Sequence, residues 1–395
     1  MKMPSRHAFG LGELCALAQC ALHHYVRRID PLYQSTYESL FCNDFSAYMG
    51  GGYTDAVNSG TCAAFISLKA LGLNEGDIVA ISGICDPGVY NSIILGGLKP
   101  LPLLPKRDDI TFSLSDFSRL MSRINISTLI YIHAFGSNTG AADLITIRSL
   151  YPELKIIEDI SQSVGGTFLD VPLGNFSNVA ISSTMGRKSL ISGASGGLLF
   201  TKDLDIYHQI LSYSDRGKLV SPNGCVIKDA PSNVNISLNF SADEFGCAIA
   251  RSSLNRIRQT QINRLRALNY IADTLDELQP NAFCSVIRFP EGSCPFVGIL
   301  QIRSPIVLER RDAFVSLLQA KNIPINPNFN QIAFLWPWLQ RYVANASEEF
   351  DSGKQLSLDW SRKHIIIYIH EKFRKDYCSF LALGISQSID TILHC

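Results

Sequence analysis

Lys188 stands in an unusual neighbourhood. The stretch Ser182-Ser-Thr-Met-Gly-Arg-Lys-Ser-Leu-Ile-Ser-Gly-Ala-Ser-Gly-Gly197 follows the apolar run Asn178-Val-Ala-Ile. It sets two adjacent cations, Arg187 and Lys188, among residues with almost no side chain. A lysine amine attacks aldehydes, forming a Schiff base, when burial or a nearby cation lowers its pKa. Arg187 either supplies that cation or faces away. A solvated surface loop is the plain reading of this stretch. The other is that a cofactor fills the room the small residues leave.

Two further places bear on the choice. Asn58-Ser-Gly-Thr-Cys-Ala-Ala is a turn feeding a helix that runs through Leu71. The first N–H groups of a helix lack partners inside it, and the helix dipole adds to their attraction for a phosphate; Ser59 as an ordinary N-cap is the local alternative. Glu158-Asp159 ends an apolar run and is followed by Gln162. A strand end of that kind is either solvated or part of a ligand site. The three in order, with Lys188 29 residues after Asp159, are what pyridoxal phosphate requires. A helix N-terminus takes the phosphate. A carboxylate pairs with the pyridinium nitrogen so that the ring is an electron sink. A lysine holds the aldehyde and moves a proton between carbon atoms.

These residues need a frame to bring them together. From Tyr53 onward short apolar runs alternate with helical stretches: Asp77–Ser82, Lys99–Leu104, Thr128–His133, Leu154–Asp159, Asn178–Ser182 and Gly197–Thr201. Most are continuous rather than alternating, as in strands buried on both faces of a largely parallel sheet. Ligands bind such sheets at the carboxyl ends of the strands. The expected architecture is α/β: a helical segment over 1–45, a large domain over 46–255 and a smaller C-terminal α/β domain over 256–395. One long helix is expected from about Ala242 to Leu278, followed by strands at Phe296–Ile302 and His364–Ile369.

Composition narrows the classes. The chain has 395 residues, 46% hydrophobic and 18% charged, which fits packed globular domains. Lys plus Arg and Asp plus Glu are 35 each, giving no reason to expect a nucleic-acid or anionic-membrane partner. Eleven cysteines at irregular spacings, with no export signal recognised, read as reduced thiols in a cytoplasmic protein. Leu11–Val26 is apolar but interrupted, and reads as an amphipathic helix packed on the body or on a partner subunit. There is no G-x-G-x-x-G after a strand and no P-loop. His133, His208, His370 and the His23-His24 pair show no metal-like spacing and read as structural, so no metal is expected.

With these motifs placed, the chain resembles the DegT/StrS sugar aminotransferases, which are fold-type-I enzymes using pyridoxal 5'-phosphate. The similarity covers roughly residues 35–390. It rests on Ser59-Gly60-Thr61-Cys62-Ala63, on Glu158-Asp159-Ile160-Ser161-Gln162, on Ser183 five residues before Lys188, and on Gly196-Gly197. The resemblance implies a three-layer fold with a mostly parallel sheet. It implies that Lys188 is the Schiff-base lysine and Asp159 the pyridinium partner, together the catalytic pair. Gly60, Thr61, Cys62 and Ser183 would hold the phosphate, and Gln162 the ring hydroxyl. Asn239, in Asn239-Phe240-Ser241, would reach the phosphate of a neighbouring subunit, making the enzyme a homodimer with shared sites. Three positions depart from the family: Asp86 stands where members carry an aromatic ring against the cofactor face, Ser241 where they carry arginine, and Val164 where they often carry histidine. Tyr90, one helical turn on, is the candidate substitute for the ring.

The activity implied is transfer of an amino group from glutamate or glutamine to a keto sugar, often nucleotide-linked, or to a cyclitol. Such products enter surface polysaccharides or secondary metabolites. A lyase, dehydratase or cyclase on the same scaffold is the alternative within this chemistry, although relatives that dehydrate sugars replace the lysine with histidine. A non-catalytic pyridoxal-phosphate protein is the third reading.

Overall fold

The structure, a computed structural model, describes residues 9–105, 110–221, 226–227, 234–343 and 348–394. Residues 1–8 of the expected N-terminal segment therefore lie outside the described residues. Nine strands form the first half: β1 (Tyr53–Val57), β2 (Ile78–Ser82), β3 (Lys99–Leu103), β4 (Ile126–Ile132), β5 (Lys155–Asp159), the two-residue β6 (Thr167–Phe168) and β7 (Val171–Pro172), β8 (Val179–Ser183) and β9 (Gly197–Thr201). Seven of them make one sheet in the order β1-β9-β8-β5-β4-β2-β3. β2, β3, β4, β5 and β8 pair in parallel, and β9 runs antiparallel to both of its neighbours.

The apolar runs form strands because helices cover both faces. Val79, Ile81, Ile130, Ile157 and Ile181 pack into one cluster, and Ala80, Leu129, Tyr131 and Ile156 into another on the opposite face. Two prolines sit in β3 without harm, because β3 is the edge strand. Pro100 and Pro102 are two residues apart, so both missing N–H groups fall on the same, outer side, where no ladder bond is needed.

The covering helices of this half are α1 (Leu11–Arg27), α2 (Thr36–Tyr48), α3 (Gly60–Ala70), α4 (Pro87–Leu95), α5 (Leu114–Met121), α6 (Ala141–Leu150), α7 (Leu204–Ser214), α8 (Glu244–Leu254) and α9 (Ile257–Leu278). The single helix expected over 242–278 is two. Asp243 caps α8 by accepting from the Gly246 N–H (2.8 Å), and the chain turns at Asn255 and Arg256 before α9 begins. Helical periodicity continues through that corner because both helices bury one face, so the break leaves no sequence signature.

The C-terminal part has a four-stranded antiparallel sheet, β10-β11-β13-β12, from β10 (Cys284–Val286), β11 (Val297–Ile302), β12 (Ile325–Asn326) and β13 (His364–Tyr368). Helices α10 (Pro305–Glu309), α11 (Arg311–Ala320), α12 (Glu348–Lys363) and α13 (Lys375–His394) accompany it. A continuous apolar cluster runs through both parts, from Val57 and Ile81 to Leu300 and Ile385. Nine cysteines among the described residues are free thiols, while Cys225 and Cys395 lie outside them. No described helix is long and apolar enough to cross a membrane.

Candidate active site

The carboxyl ends of β2, β4, β5 and β8 point to one edge of the sheet, and the chemistry-bearing residues leave from there. Each strand end is followed by a turn, so backbone N–H groups and side chains that would interrupt a ladder are free to face a ligand.

At the end of β1, Ser59 caps α3. Its Oγ accepts from the Cys62 N–H at 3.1 Å, so that N–H, expected to hold phosphate, is already bonded. Gly60 and Thr61 supply the first two N–H groups of α3, which have no partner within the helix. Gly60 is pressed against Ser183 at the end of β8. A Cβ at position 60 would stand 2.7 Å from the Ser183 Cβ and 2.9 Å from its Cα. The two expected phosphate anchors thus form one cradle that a side chain would fill. The Ser183 N–H is held by Ser161 Oγ at 2.8 Å.

Gly197 backs the same turn, since a Cβ there would lie 2.4 Å from the Ser59 carbonyl carbon. Ser195 Oγ donates to Asn58 O (2.8 Å) and Thr184 Oγ1 lies 2.6 Å from Ser192 Oγ. The small residues after Lys188 therefore seat the loop on the turn. They also border a cavity of about 430 Å³, but neither Lys188 nor Asp159 lines it. Close approach of neighbouring residues accounts for Gly196 and Gly197 in this loop.

Asp159 and Glu158 adjoin in sequence and serve opposite sides of the sheet, because successive strand residues alternate. Glu158 is fully buried. It accepts from Gly174 N (3.0 Å) and Phe176 N (2.8 Å), and His133 Nε2 lies 2.9 Å from its Oε1. It fixes the loop before β8. Asp159 is also buried, and its Oδ1 accepts from the Ser161 N–H at 2.8 Å. Burial pushes its carboxyl above the ordinary value, while Ser161 and the Lys188 ammonium pull it back.

Lys188 is half-buried and Arg187 exposed. Burial lowers the Lys188 pKa against the opposing pull of Asp159 and Asp86, and the cation that adds to the lowering is Arg264, not Arg187. Arg264 reaches in from α9, buried, with its Nε on Glu371 at 2.9 Å. Nothing in the sequence pairs residue 264 with residue 188. Phe296, read from the sequence only as the start of a strand, presents its ring 4.8 Å from Lys188 Nζ.

Asp86 follows β2 at the mouth of the site. Its Oδ1 caps α4 by accepting from Gly88 N (2.8 Å), and its charge is felt by both Asp159 and Lys188. Cys85 beside it is buried, and burial first, then Asp159 and Asp86, pushes its thiol up. Tyr90 does not substitute for the missing ring. It is wholly buried, its hydroxyl donating to Ser82 O (3.3 Å) and its ring edge-on to Trp336 at 5.5 Å.

Gln162 is half-buried, and its Oε1 accepts from the Phe135 N–H at 2.6 Å. That fixes the amide, leaving its NH2 as the donating end. Asn239 is exposed, its Oδ1 accepting from Ser241 N (3.2 Å), and its segment lies on the phosphate turn through Phe240 O, which accepts from Asn58 N (2.9 Å).

With this geometry in hand, comparison with known proteins is decisive for the family. The model of the DegT/DnrJ/EryC1/StrS aminotransferase family matches residues 26–379. This chain belongs to that family. Among curated DegT relatives, an L-glutamine:scyllo-inosose aminotransferase of Streptomyces griseus is 25% identical over 258 residues, 62% of this chain and 58% of that protein. The chain spans about half the length of the first such relatives. Two solved structures share the fold. That of ntda from Bacillus subtilis, with the cofactor PMP bound, has a TM-score of 0.82 at 17% identity, covering 97% of this chain and 83% of that one. The GDP-4-keto-6-deoxy-D-mannose-3-dehydratase of E. coli, with bound hydrated PLP, has a TM-score of 0.81 at 16% identity, covering 96% and 97%. The α/β architecture expected from the sequence, with a mostly parallel sheet, is thus shared with both of these solved structures.

Proposed function

We propose that this chain is a pyridoxal-phosphate-dependent aminotransferase, moving an amino group from glutamate or glutamine to a keto sugar or keto cyclitol. The observation that carries the reading is the convergence, at one sheet edge, of a lysine whose basicity is lowered, a buried aspartate and an N–H-lined cradle. The cradle fits a phosphate: Gly60 and Ser183 keep it open, and the first N–H groups of α3 and the Ser183 hydroxyl supply donors. Asp159 suits a protonated ring nitrogen, because a cation placed beside it would offset the cost of burying its charge. The Gln162 NH2 supplies a donor for the ring oxygen.

When bound, the cofactor supplies a carbonyl carbon that exchanges amines and a ring that takes up electrons. The rest belongs to the chain. Lys188, its pKa lowered by burial, gives up its proton more readily than an exposed lysine and then accepts and returns one at Nζ. The Ser161 N–H favours the charged form of Asp159 against the cost of its burial. Arg264 limits how readily Lys188 re-protonates.

The retained Lys188 favours transamination over sugar dehydration. The Streptomyces relative's name pairs L-glutamine with scyllo-inosose, which supports an amino-acid donor and a cyclic ketone acceptor here. A cytoplasmic homodimer with Asn239 completing the neighbour's cradle belongs to the same proposal, as do products bound for polysaccharide or secondary metabolism. Added pyridoxal phosphate should give wild type a visible absorbance that Lys188→Ala lacks, and glutamate or glutamine should bleach it. Wild type that takes up no cofactor sinks the reading. A cofactor-loaded protein indifferent to every amino donor points to a lyase instead.

A further inference from the structure

We propose that Phe296 is a positioning residue for Lys188, its ring being the surface against which the Lys188 ammonium rests when the side chain is not joined to the cofactor. The inference rests on the aminotransferase reading above, in which Lys188 must be free during half of each cycle.

The contact is 4.8 Å from Nζ to the ring centroid, within the range of a cation–π attraction. The ring is not a chance neighbour, because its backbone is clamped. Phe296 N–H donates to Phe135 O (2.8 Å) and Cys294 N–H to Gly136 O (2.9 Å). Phe135 itself is held in the left-handed region at φ 59°, its ring between Phe329 at 5.3 Å and Trp360 at 6.0 Å. A non-glycine residue persists there only when its surroundings over-determine it. Gly136 (φ +88°) admits the close approach, since a Cβ would lie 2.7 Å from Phe296 N. The Phe135 N–H meanwhile holds Gln162 Oε1. One strained residue thus fixes both Gln162 and the segment that presents the ring to Lys188.

A ring face attracts the ammonium and not the neutral amine, so Phe296 opposes the loss of a proton. Around the amine stand Asp159 at the end of β5, Asp86 at the cap of α4, Cys85 beside it and Arg264 from α9. Phe296 works with the two carboxylates and against Arg264.

The test needs no turnover. Lys188 of the full chain, without added cofactor, is labelled with an amine-specific reagent across pH and read by mass spectrometry. Phe296→Leu and Phe296→Met should each lower the midpoint by roughly half to one and a half pH units, and Phe296→Tyr should restore it. An unchanged midpoint in Leu and Met overturns the proposal, as does an equal shift in Tyr, which would make the residue merely structural. If Leu fails to fold, Met against Tyr decides. Protection of Lys188 by added pyridoxal phosphate is a separate arm: its failure sinks the cofactor reading and leaves the ring contact to be judged on the midpoints.

Discussion

Gly60 and Ser183, more than a hundred residues apart, meet so closely that a methyl group on the first would stand 2.7 Å from the Cβ of the second. Two opposed effects bear on Gly60→Ala. Alanine is favoured over glycine in a helix by about 0.5–1 kcal/mol, but the added Cβ strikes Ser183 backbone atoms, an overpacking that costs about 1–3 kcal/mol. The clash wins. We expect a lowered denaturation midpoint and loss of pyridoxal phosphate retention in equilibrium dialysis. An alanine variant as stable as wild type, with full retention, would show that the cradle is looser than this contact implies.

Glu158 and Asp159 should separate cleanly under mutation. Glu158→Ala strands the Gly174 and Phe176 N–H groups and the His133 ring nitrogen. Each buried donor left unmade costs about 1–3 kcal/mol, so thermal stability should fall. Asp159→Asn keeps an acceptor for Ser161 and removes a buried charge, so the melting temperature should hold or rise while cofactor retention drops roughly tenfold or more. Melting curves and dialysis on the two variants check both halves. A reversed pattern would exchange their roles.

Asp55 predicts a pH effect away from the site. Burial pushes its carboxyl from 3.8 up to about 6, while the Ser214 hydroxyl that donates to it works the other way. A carboxyl raised on folding is protonated in both states below pH 4 and costs nothing there. Above pH 6 it is charged in both, and folding bears the full cost of burying it, on the order of 3 kcal/mol. Stability from this residue is therefore highest at low pH and lost as pH rises through 6. Asp55→Asn should match wild type near pH 4 and exceed it at pH 7.5 in urea melts. A difference independent of pH would refute this account.

Val234, Ile236 and Leu238 alternate with Asn235 and Ser237 just before Asn239. The inner pair bonds to α7 and its end, Asn235 Nδ2 to Ser212 Oγ and Ser237 Oγ to Tyr213 O. The outer three are exposed, Ile236 at 99%. In the homodimer reading a partner covers them. Ile236→Asp should leave a folded chain that sediments as a monomer at concentrations where wild type is dimeric, and with reduced cofactor retention. Wild type that is itself monomeric would remove the shared-site part of the proposal.

The order of the site was readable from sequence because each element of it is local. A continuous apolar run marks a strand buried on both faces, and the polar residue or glycine after it marks the carboxyl edge. Ser59-Gly60, Asp159, Ser183 and Lys188 each follow such a run. What distant parts of the chain do to those residues was not readable. Arg264 and Phe296 act on Lys188 from beyond the corner at Asn255, Tyr90 turns into the core instead of the site, and Cys62 gives its N–H to Ser59. Each depends on where a side chain or N–H points once helices and sheet are packed. Sequence thus determined which groups arrive at the sheet edge. Tertiary packing alone decided which of them face one another, because burial and through-space charge depend on distance in the fold and not on separation along the chain.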